Sequence, residues 1–207
     1  MRTPLSAGRA LLQVAIADPE PTVETLRATC EELVELGDRQ ERLIAALLTL
    51  ASSQRGLGQA VSLDLAEVTR KAVLGRQHEA ESHGVSLSPV LGPAPVTADP
   101  SLVEILVANL VDNAIRHNLP GGQVQISTAM TGAGAAITVG NTGTLIPPDA
   151  IDYLFQPFRR LGTQRIRQNE GHGLGLAIIR AIADAHGAAL TVSPRPSGGM
   201  DIAVIFA

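Results

Sequence analysis

Polar side chains on one predicted helix are placed to hold phosphate or a divalent cation. Asn109, Asn113 and His117 recur every four residues, with Asp112 and Arg116 beside them. This spacing puts the set on one helix face. An Asn oxygen suits Mg²⁺, and an Asn N–H suits a phosphate oxygen. Taken alone, the helix is more simply explained as a core helix with a solvent-exposed polar side.

A second candidate is a glycine-rich sequence at the start of a later predicted helix. It consists of Gly171, His172, Gly173, Leu174, Gly175 and Leu176. Glycines let the backbone approach a ligand closely, and a helix N-terminus offers unpaired N–H groups to phosphate. The spacing is not Gly-x-Gly-x-x-Gly, and the preceding residues 165–170 are polar, so a dinucleotide-binding Rossmann motif is excluded. A flexible glycine turn is an equally good explanation.

Two further segments could complete a nucleotide site. Asn141 and Gly143 follow a predicted strand, where one polar side chain can meet a planar ligand, although a common turn has the same pattern. Several arginines precede the glycines and could belong to a mobile lid or to a solvated charged loop. These are Arg159, Arg160, Arg165 and Arg167.

The elements that would position these residues change in character near residue 57. Before it, the apolar spacing predicts two helices; after it, helical and strand patterns alternate. The predicted helices cover residues 4–17, 22–54, 65–83, 99–118, 148–155 and 174–186. The predicted strands cover residues 85–90, 123–129, 135–140, 188–193 and 201–206. Adjacent strand pairs with short links predict a mostly antiparallel or mixed sheet with helices on one face.

The longer of the two N-terminal helices carries a seam of apolar side chains along its length, and the shorter helix is too short to cover that seam. A helix of some thirty residues cannot bury such a seam against a much shorter one. Dimerisation of an antiparallel hairpin into a four-helix bundle would bury it, and packing on the second domain is the alternative. Thr22 is the predicted N-cap of the longer helix, with Thr25 completing only half of a capping box.

Composition excludes several classes of protein. The 207 residues carry a net charge of −4 and only 2% aromatics, which argues against nucleic acid as a partner. One cysteine excludes an internal disulfide and a Cys-rich zinc site. No apolar run is long enough to span a bilayer, so no membrane contact is expected. The single lysine, Lys71, does not follow a glycine, which excludes a Walker-type phosphate loop.

The order of these motifs resembles the N, G1, F and G2 boxes of bacterial sensor histidine kinases. The four corresponding segments are Asn109–Ala114, Asn141–Gly143, Leu154–Phe158 and Gly171–Leu176. Arg2–Leu5 is similar to the end of that family's H box, and Leu47–Ala51 to the end of its second dimerisation helix. The resemblance covers essentially the whole chain.

The resemblance implies an α+β protein with two domains. Residues 1–57 would form the dimerisation and histidine-phosphotransfer hairpin, a four-helix bundle in the dimer. Residues 58–207 would form a catalytic ATP-binding domain of the Bergerat type, an α/β sandwich with a mixed sheet and helices on one face.

The resemblance also assigns roles to the site residues. Asn113 would hold Mg²⁺, and Asn109 with Arg116 or His117 would face the phosphates of ATP. Asn141 and Gly143 would meet the adenine. Residues 158–170, including Arg159, would form the lid, and the following glycine-rich sequence, Gly171, His172, Gly173, Leu174, Gly175 and Leu176, would hold the phosphates.

The implied activity is transfer of the ATP γ-phosphate to a histidine and then to an aspartate of a response regulator receiver domain. The implied assembly is a homodimer through the hairpin. The implied location is the cytoplasm, with the parent protein anchored in the cell membrane. Thr3 stands where the family has a residue implicated in phosphatase action.

Three departures from the family pattern matter for function. The acceptor histidine would lie two residues before Met1, and the five histidines of the chain all follow residue 77, so we expect no autophosphorylation by this chain alone. Asn141 replaces the family's adenine-reading aspartate. Leu145 replaces a glycine.

Other classes remain open at this point. A nucleotide-binding regulatory module without kinase activity fits the missing acceptor and Asn141. ATPases of the chaperone, gyrase or mismatch-repair type and anti-sigma serine kinases share the nucleotide fold. These proteins do not require the N-terminal helical hairpin that is predicted for this chain.

Overall fold

The structure is a computed structural model that describes residues 4–19, 21–34, 60–156, 159 and 173–207. The chain divides into two compact units, Met1–Leu48 and Thr49–Ala207. The predicted domain boundary at residue 57 and the predicted end of the second helix at residue 54 lie outside the described residues.

The first unit contains helix α1 (Pro4–Ala17), as predicted, and the described part of α2, residues 23–34. Thr22 and Thr25 form a complete reciprocal box, which corrects the half box predicted from the sequence. The Thr25 backbone N–H donates to the Thr22 hydroxyl at 3.1 Å, and the Thr22 N–H donates to the Thr25 hydroxyl at 3.1 Å. The Thr25 hydroxyl thus accepts the hydrogen bond from the N-cap backbone N–H that a Glu or Gln side chain accepts in the usual capping box.

The second unit is built on a five-stranded mixed sheet in the order β2-β4-β5-β7-β6. Its strands are β2 (Ser86–Leu91), β4 (Gln123–Thr131), β5 (Gly134–Asn141), β6 (Ala189–Pro194) and β7 (Met200–Phe206). Only the β2–β4 pair is parallel, and the other three pairs are antiparallel. The predicted mixed sheet is confirmed.

The α-helices of this unit are α3 (Leu65–Leu74), α4 (Gln77–Ser82), α5 (Pro100–Arg116), α6 (Ile151–Leu154) and α7 (Gly175–Ala185). The three longest, α3, α5 and α7, bury one apolar side against the sheet, whereas the short α6 has no buried residue. Asp99 caps α5, since its carboxylate accepts from the Ser101 and Leu102 N–H groups. The largest fully buried side chains come from α3, α5, α7 and strands β4 and β5. The fold is α+β, as predicted from the sequence.

Two features differ from the sequence prediction. The single helix expected over 65–83 is two helices, because the chain turns at Gly75 and Arg76, where the Arg76 guanidinium bonds the Asp112 carboxylate of α5. A separate two-stranded sheet pairs β1 (Val61–Asp64) with β3 (Pro95–Ala98), neither of which was expected. Among the described residues, no helix is both long and apolar enough to cross a membrane.

Candidate functional site

A cavity lies between the sheet and the helices at the end of β5. Two cross-strand pairs form its floor, Asn141 with Met200 and Val139 with Ile202. Directly opposed residues of an antiparallel pair share one face of the sheet. The remaining lining comes from α5 and α7, through Leu110, Asn113, Ala114, His117 and Leu176.

Asn113 carries the most unusual polar group of this cavity. Its Nδ2 is buried and has no hydrogen-bond partner. A buried amide without a partner costs about 1–3 kcal/mol, so such groups are rare away from functional sites. A half-turn of the amide exchanges its oxygen and nitrogen, so the same position can offer an acceptor or a donor. Asn113 is therefore ready for a polar ligand.

The N-terminus of α7 faces this amide. A Cβ on Gly175 would lie 2.8 Å from both Oδ1 and Nδ2 of Asn113, so only glycine leaves the first turn of α7 this close. Leu174, the N-cap residue, makes no side-chain cap hydrogen bond. The first-turn N–H groups of a helix bind anions well when no side chain caps them. Gly173 precedes them with a φ of 67°, a left-handed conformation that suits glycine.

Asn141 supplies the polar group of the cavity floor. It is the last residue of β5 and only 5% exposed. Its Nδ2 donates to the Thr142 carbonyl at 2.7 Å. This internal bond occupies one amide donor and leaves the Oδ1 acceptor as the group that resembles an aspartate oxygen.

Glycines allow neighbouring backbone segments to pack closely around Asn141. Gly143 packs so closely that a Cβ there would lie 2.7 Å from the His117 carbonyl oxygen. Gly199 has a φ of 85°, and a Cβ on it would lie 1.9 Å from the Asn141 carbonyl oxygen. Only glycine at these two positions therefore lets the Gly198–Gly199 turn approach Asn141 this closely.

The Thr142 hydroxyl joins three elements just behind Asn141. It donates to the Asn118 Oδ1 at 2.6 Å and accepts from the Gln123 N–H at 2.8 Å. Asn118 follows α5 and Gln123 begins β4. The network thus fixes the loop after β5 relative to both elements.

Replacing this hydroxyl should measure the strength of the network. We expect Thr142→Val to lower the free energy of unfolding by about 2 kcal/mol, because it leaves the Asn118 oxygen and the Gln123 N–H without this partner. Thr138→Val in the neighbouring strand β5 is the matched control and should change it by less than about 0.5 kcal/mol. Urea unfolding measures both, and equal effects would contradict a structural role for the network.

The structure brings together only part of the site predicted from the sequence. Asn113, His117, Asn141 and Leu176 line the cavity, and Gly143 and Gly175 adjoin it. Asn109 is not among the lining residues: its Nδ2 donates to the Ile105 carbonyl one turn back, at 2.8 Å. Gly171, His172 and Thr3 lie outside the described residues.

Arg116, expected to face phosphate, and Arg159, expected in the lid, have other partners here. Arg116 Nε lies 3.5 Å from Glu79 Oε1 of α4. The Arg159 guanidinium carbon lies 4.9 Å from the centre of the Tyr153 ring, and its Nη1 donates to the Tyr153 hydroxyl at 3.2 Å. Their roles toward phosphate stay predictions.

Sequence analysis missed the apolar walls of the cavity. These are Leu110, Ala114, Val139, Ile202 and Met200. The first four look like ordinary core residues in the sequence, and Met200 becomes a site residue only through the register of β7 on β5. The Gly198–Gly199 pair was the one available signal for this neighbourhood.

The polar groups of this site fit a nucleotide with a divalent cation. Mg²⁺ is usually bound through one or two protein oxygens together with waters and substrate phosphates. The buried Asn113 amide beside the α7 N-terminus matches that pattern. In the described part of the chain, no group of three or more His, Cys, Asp or Glu side chains could form an all-protein metal site.

Comparisons with known proteins agree with this geometry. Residues 98–207 match the family described as histidine kinase-, DNA gyrase B- and HSP90-like ATPases. The sensor protein CutS of Streptomyces coelicolor is 40% identical over 201 residues, which are 97% of this chain and 48% of CutS. The chain thus spans about half the length of the curated relatives it matches.

Two solved structures are similar in fold. The mycobacterial sensor histidine kinase MprB superposes with a TM-score of 0.62 and 26% identity, over 70% of this chain and 97% of that one. Histidine kinase ThkA in complex with response regulator TrrA gives a TM-score of 0.70 at 21% identity, over 98% of this chain and 57% of that one. The chain belongs to the histidine kinase-, DNA gyrase B- and HSP90-like ATPase family, and within it to the catalytic cores of sensor histidine kinases.

Proposed function

We propose that this chain binds Mg·ATP and serves in transfer of the γ-phosphate to a histidine and then to an aspartate of a response regulator. The observation that carries the proposal is the buried, unpartnered Nδ2 of Asn113, whose amide faces the N-terminus of α7 in a cavity that Asn141 also lines. This set provides one position for a cation or phosphate and one for a base.

The polar groups around the cavity have distinct tasks. The first-turn amides of α7 bind phosphate oxygens, and the Asn113 side-chain oxygen would hold Mg²⁺, which would neutralise phosphate charge. Asn141 accepts a hydrogen bond from the exocyclic amino group of adenine through Oδ1. The apolar walls between them exclude water from the base. His117, at the end of α5, and Arg116 supply further contacts to phosphate, with Arg116 first leaving Glu79.

The chemical step is an in-line phosphoryl transfer. The lone pair of an imidazole nitrogen forms the N–P bond while the bond from the γ-phosphorus to the bridging oxygen breaks and ADP leaves. The proton on the other ring nitrogen passes to water. Positioning and charge neutralisation account for most of the catalysis in such reactions.

The proposed phosphotransfer hairpin, residues 1–57, contains no histidine, and the five histidines at 78 and beyond lie outside it. We therefore propose that this chain alone does not autophosphorylate. Apolar side chains of the first unit are largely exposed, among them Val14, Ile16, Val23 and Val34 at 64–83%. This exposure supports a homodimer through the residue 1–57 hairpin, with residues 58–207 as the catalytic domain.

The relatives and the composition support the remaining partners and the location. The complex of ThkA with TrrA supports a response regulator receiver domain as the partner. The net charge of −4 supports the absence of nucleic acid partners. We place the chain in the cytoplasm, as part of a membrane-anchored sensor, without membrane contact of its own.

Calorimetric titration with Mg·ATP, with GTP as the control, tests the binding step. We expect a Kd between about 1 μM and 1 mM, the ordinary range for enzyme substrates, with GTP much weaker. A chain extended by His and Glu ahead of Met1 should then become phosphorylated from ATP. Failure of the wild-type chain to bind ATP would refute the proposal.

A regulatory nucleotide-binding module without kinase activity is the second candidate. Asn141 favours it, because a neutral amide replaces a charged acceptor and weakens the bond to the base. Binding of ATP without any phosphorylation of the His-extended chain would support this candidate instead.

A further inference from the structure

We propose that Met200 is a specificity-determining residue that limits the size of the group carried on the amino edge of the bound base. The inference rests on the proposed function, since it takes the base to be a purine read by Asn141. It concerns a residue that neither the motifs nor the family match singles out.

The strand register places Met200 beside Asn141. The two residues are direct partners across the antiparallel β5–β7 pair, so their side chains project from the same face of the sheet. Both line the cavity. A base whose amino group meets Asn141 must therefore present that edge to Met200.

The cavity is too small for a base unless a wall moves. Its volume is about 20 Å³, room for about one water, whereas small-molecule sites usually hold about 300 Å³ or more. Four of the apolar walls cannot easily move, because Leu110, Ala114, Val139 and Ile202 are 1–4% exposed and packed in the core. Met200 and Leu176 are the partly exposed apolar walls.

These two movable walls come from different elements, Leu176 from α7 and Met200 from β7. Leu176 follows Gly175 at the start of α7, beside Asn113 and the proposed phosphate position. Met200 begins β7 beside Asn141 and the proposed base position. An unbranched side chain with three rotatable bonds can swing aside, and shortening it leaves permanent space. The space gained at Met200 lies where an N6 substituent would point.

The test compares ATP with N6-benzyl-ATP on wild-type chain and Met200→Ala. We expect the wild type to bind N6-benzyl-ATP roughly ten- to hundredfold more weakly than ATP, the range for groups that do not fit an apolar pocket. Met200→Ala should bind the two within about threefold of each other. Met200→Leu, which keeps the volume, should still exclude the benzyl group.

Matched variants separate this effect from general loosening. Leu176→Ala shortens the cavity wall at the start of α7, beside Gly175 and not beside Asn141 in the sheet. Met130→Ala removes a methionine of β4 that is 54% exposed. Neither variant should admit N6-benzyl-ATP. If Met200→Ala fails to fold, Met200→Val provides a shorter side chain suited to a strand.

The outcomes distinguish a failure of the Met200 assignment from a failure of the proposed ATP-binding function. If the wild type binds ATP but Met200→Ala still rejects the benzyl group, or Leu176→Ala admits it equally, the assignment of Met200 is wrong and the proposed function stands. If the wild type binds no ATP, the proposed function fails and this inference fails with it.

Discussion

Asn113→Ala should remove Mg²⁺-dependent ATP binding while leaving the fold intact. Hydrogen bonds and contacts to charged groups contribute about 1.5–3 kcal/mol, so we expect the Kd for Mg·ATP to rise roughly 10- to 150-fold. Calorimetric titration in Mg²⁺ and, separately, in EDTA measures it. The variant in Mg²⁺ should bind no better than the wild type does in EDTA.

The reason to expect an intact fold lies in the same buried amide. Asn113 Nδ2 has no partner in the structure, so its removal breaks no hydrogen bond at this atom and relieves its desolvation. The small space that remains adjoins a cavity that already exists. We therefore expect the urea midpoint to change little.

Asn109→Ala is the informative comparison on the same helix. Asn109 Nδ2 is already bonded to the Ile105 carbonyl, so its truncation should affect nucleotide binding less than that of Asn113. Full, Mg²⁺-dependent binding by Asn113→Ala would show that another residue holds the cation.

The fold was predictable wherever the signal was local. Helix α5 begins as expected because Asp99 can cap it and Pro100 fits its first turn. The alternation along β4 matches a strand with one buried face, and the buried positions Val124, Ile126 and Thr128 follow it.

The parts that were missed depend on contacts between distant residues. Strands β1 and β3 are four residues each and pair only with each other across some thirty residues of chain. The break between α3 and α4 accompanies the Arg76–Asp112 ion pair, whose partners are 36 positions apart. No local pattern reports such pairings.

The residues of the candidate site likewise include some that the sequence could predict and some that depend on contacts between distant residues. Asn113 and Asn141 were identifiable because their residue types and order are distinctive. The Arg116–Glu79 ion pair could not be foreseen, since it depends on where α4 packs. Met200 could not be foreseen either, because one residue of strand slippage would turn its side chain to the opposite face.

Gly199→Ala should give the largest loss of stability among the changes considered. An added Cβ would lie 1.9 Å from the Asn141 carbonyl oxygen and 2.8 Å from its carbon, so the backbone of the site must shift. The φ of 85° adds the left-handed penalty of about 1–2 kcal/mol for a residue with a Cβ. We expect the free energy of unfolding to fall by about 3 kcal/mol or more.

Gly187→Ala separates these two costs. Gly187 has a φ of 62° just after α7, but a Cβ there would meet nothing within 4 Å. This variant should lose only the conformational part, about 1 kcal/mol, and should keep its affinity for Mg·ATP. Gly199→Ala should lose affinity as well, because displacing the Asn141 backbone moves the acceptor that reads the base. If urea unfolding gives both variants the same loss, close packing of the Gly198–Gly199 turn against Asn141 is not what requires glycine at position 199.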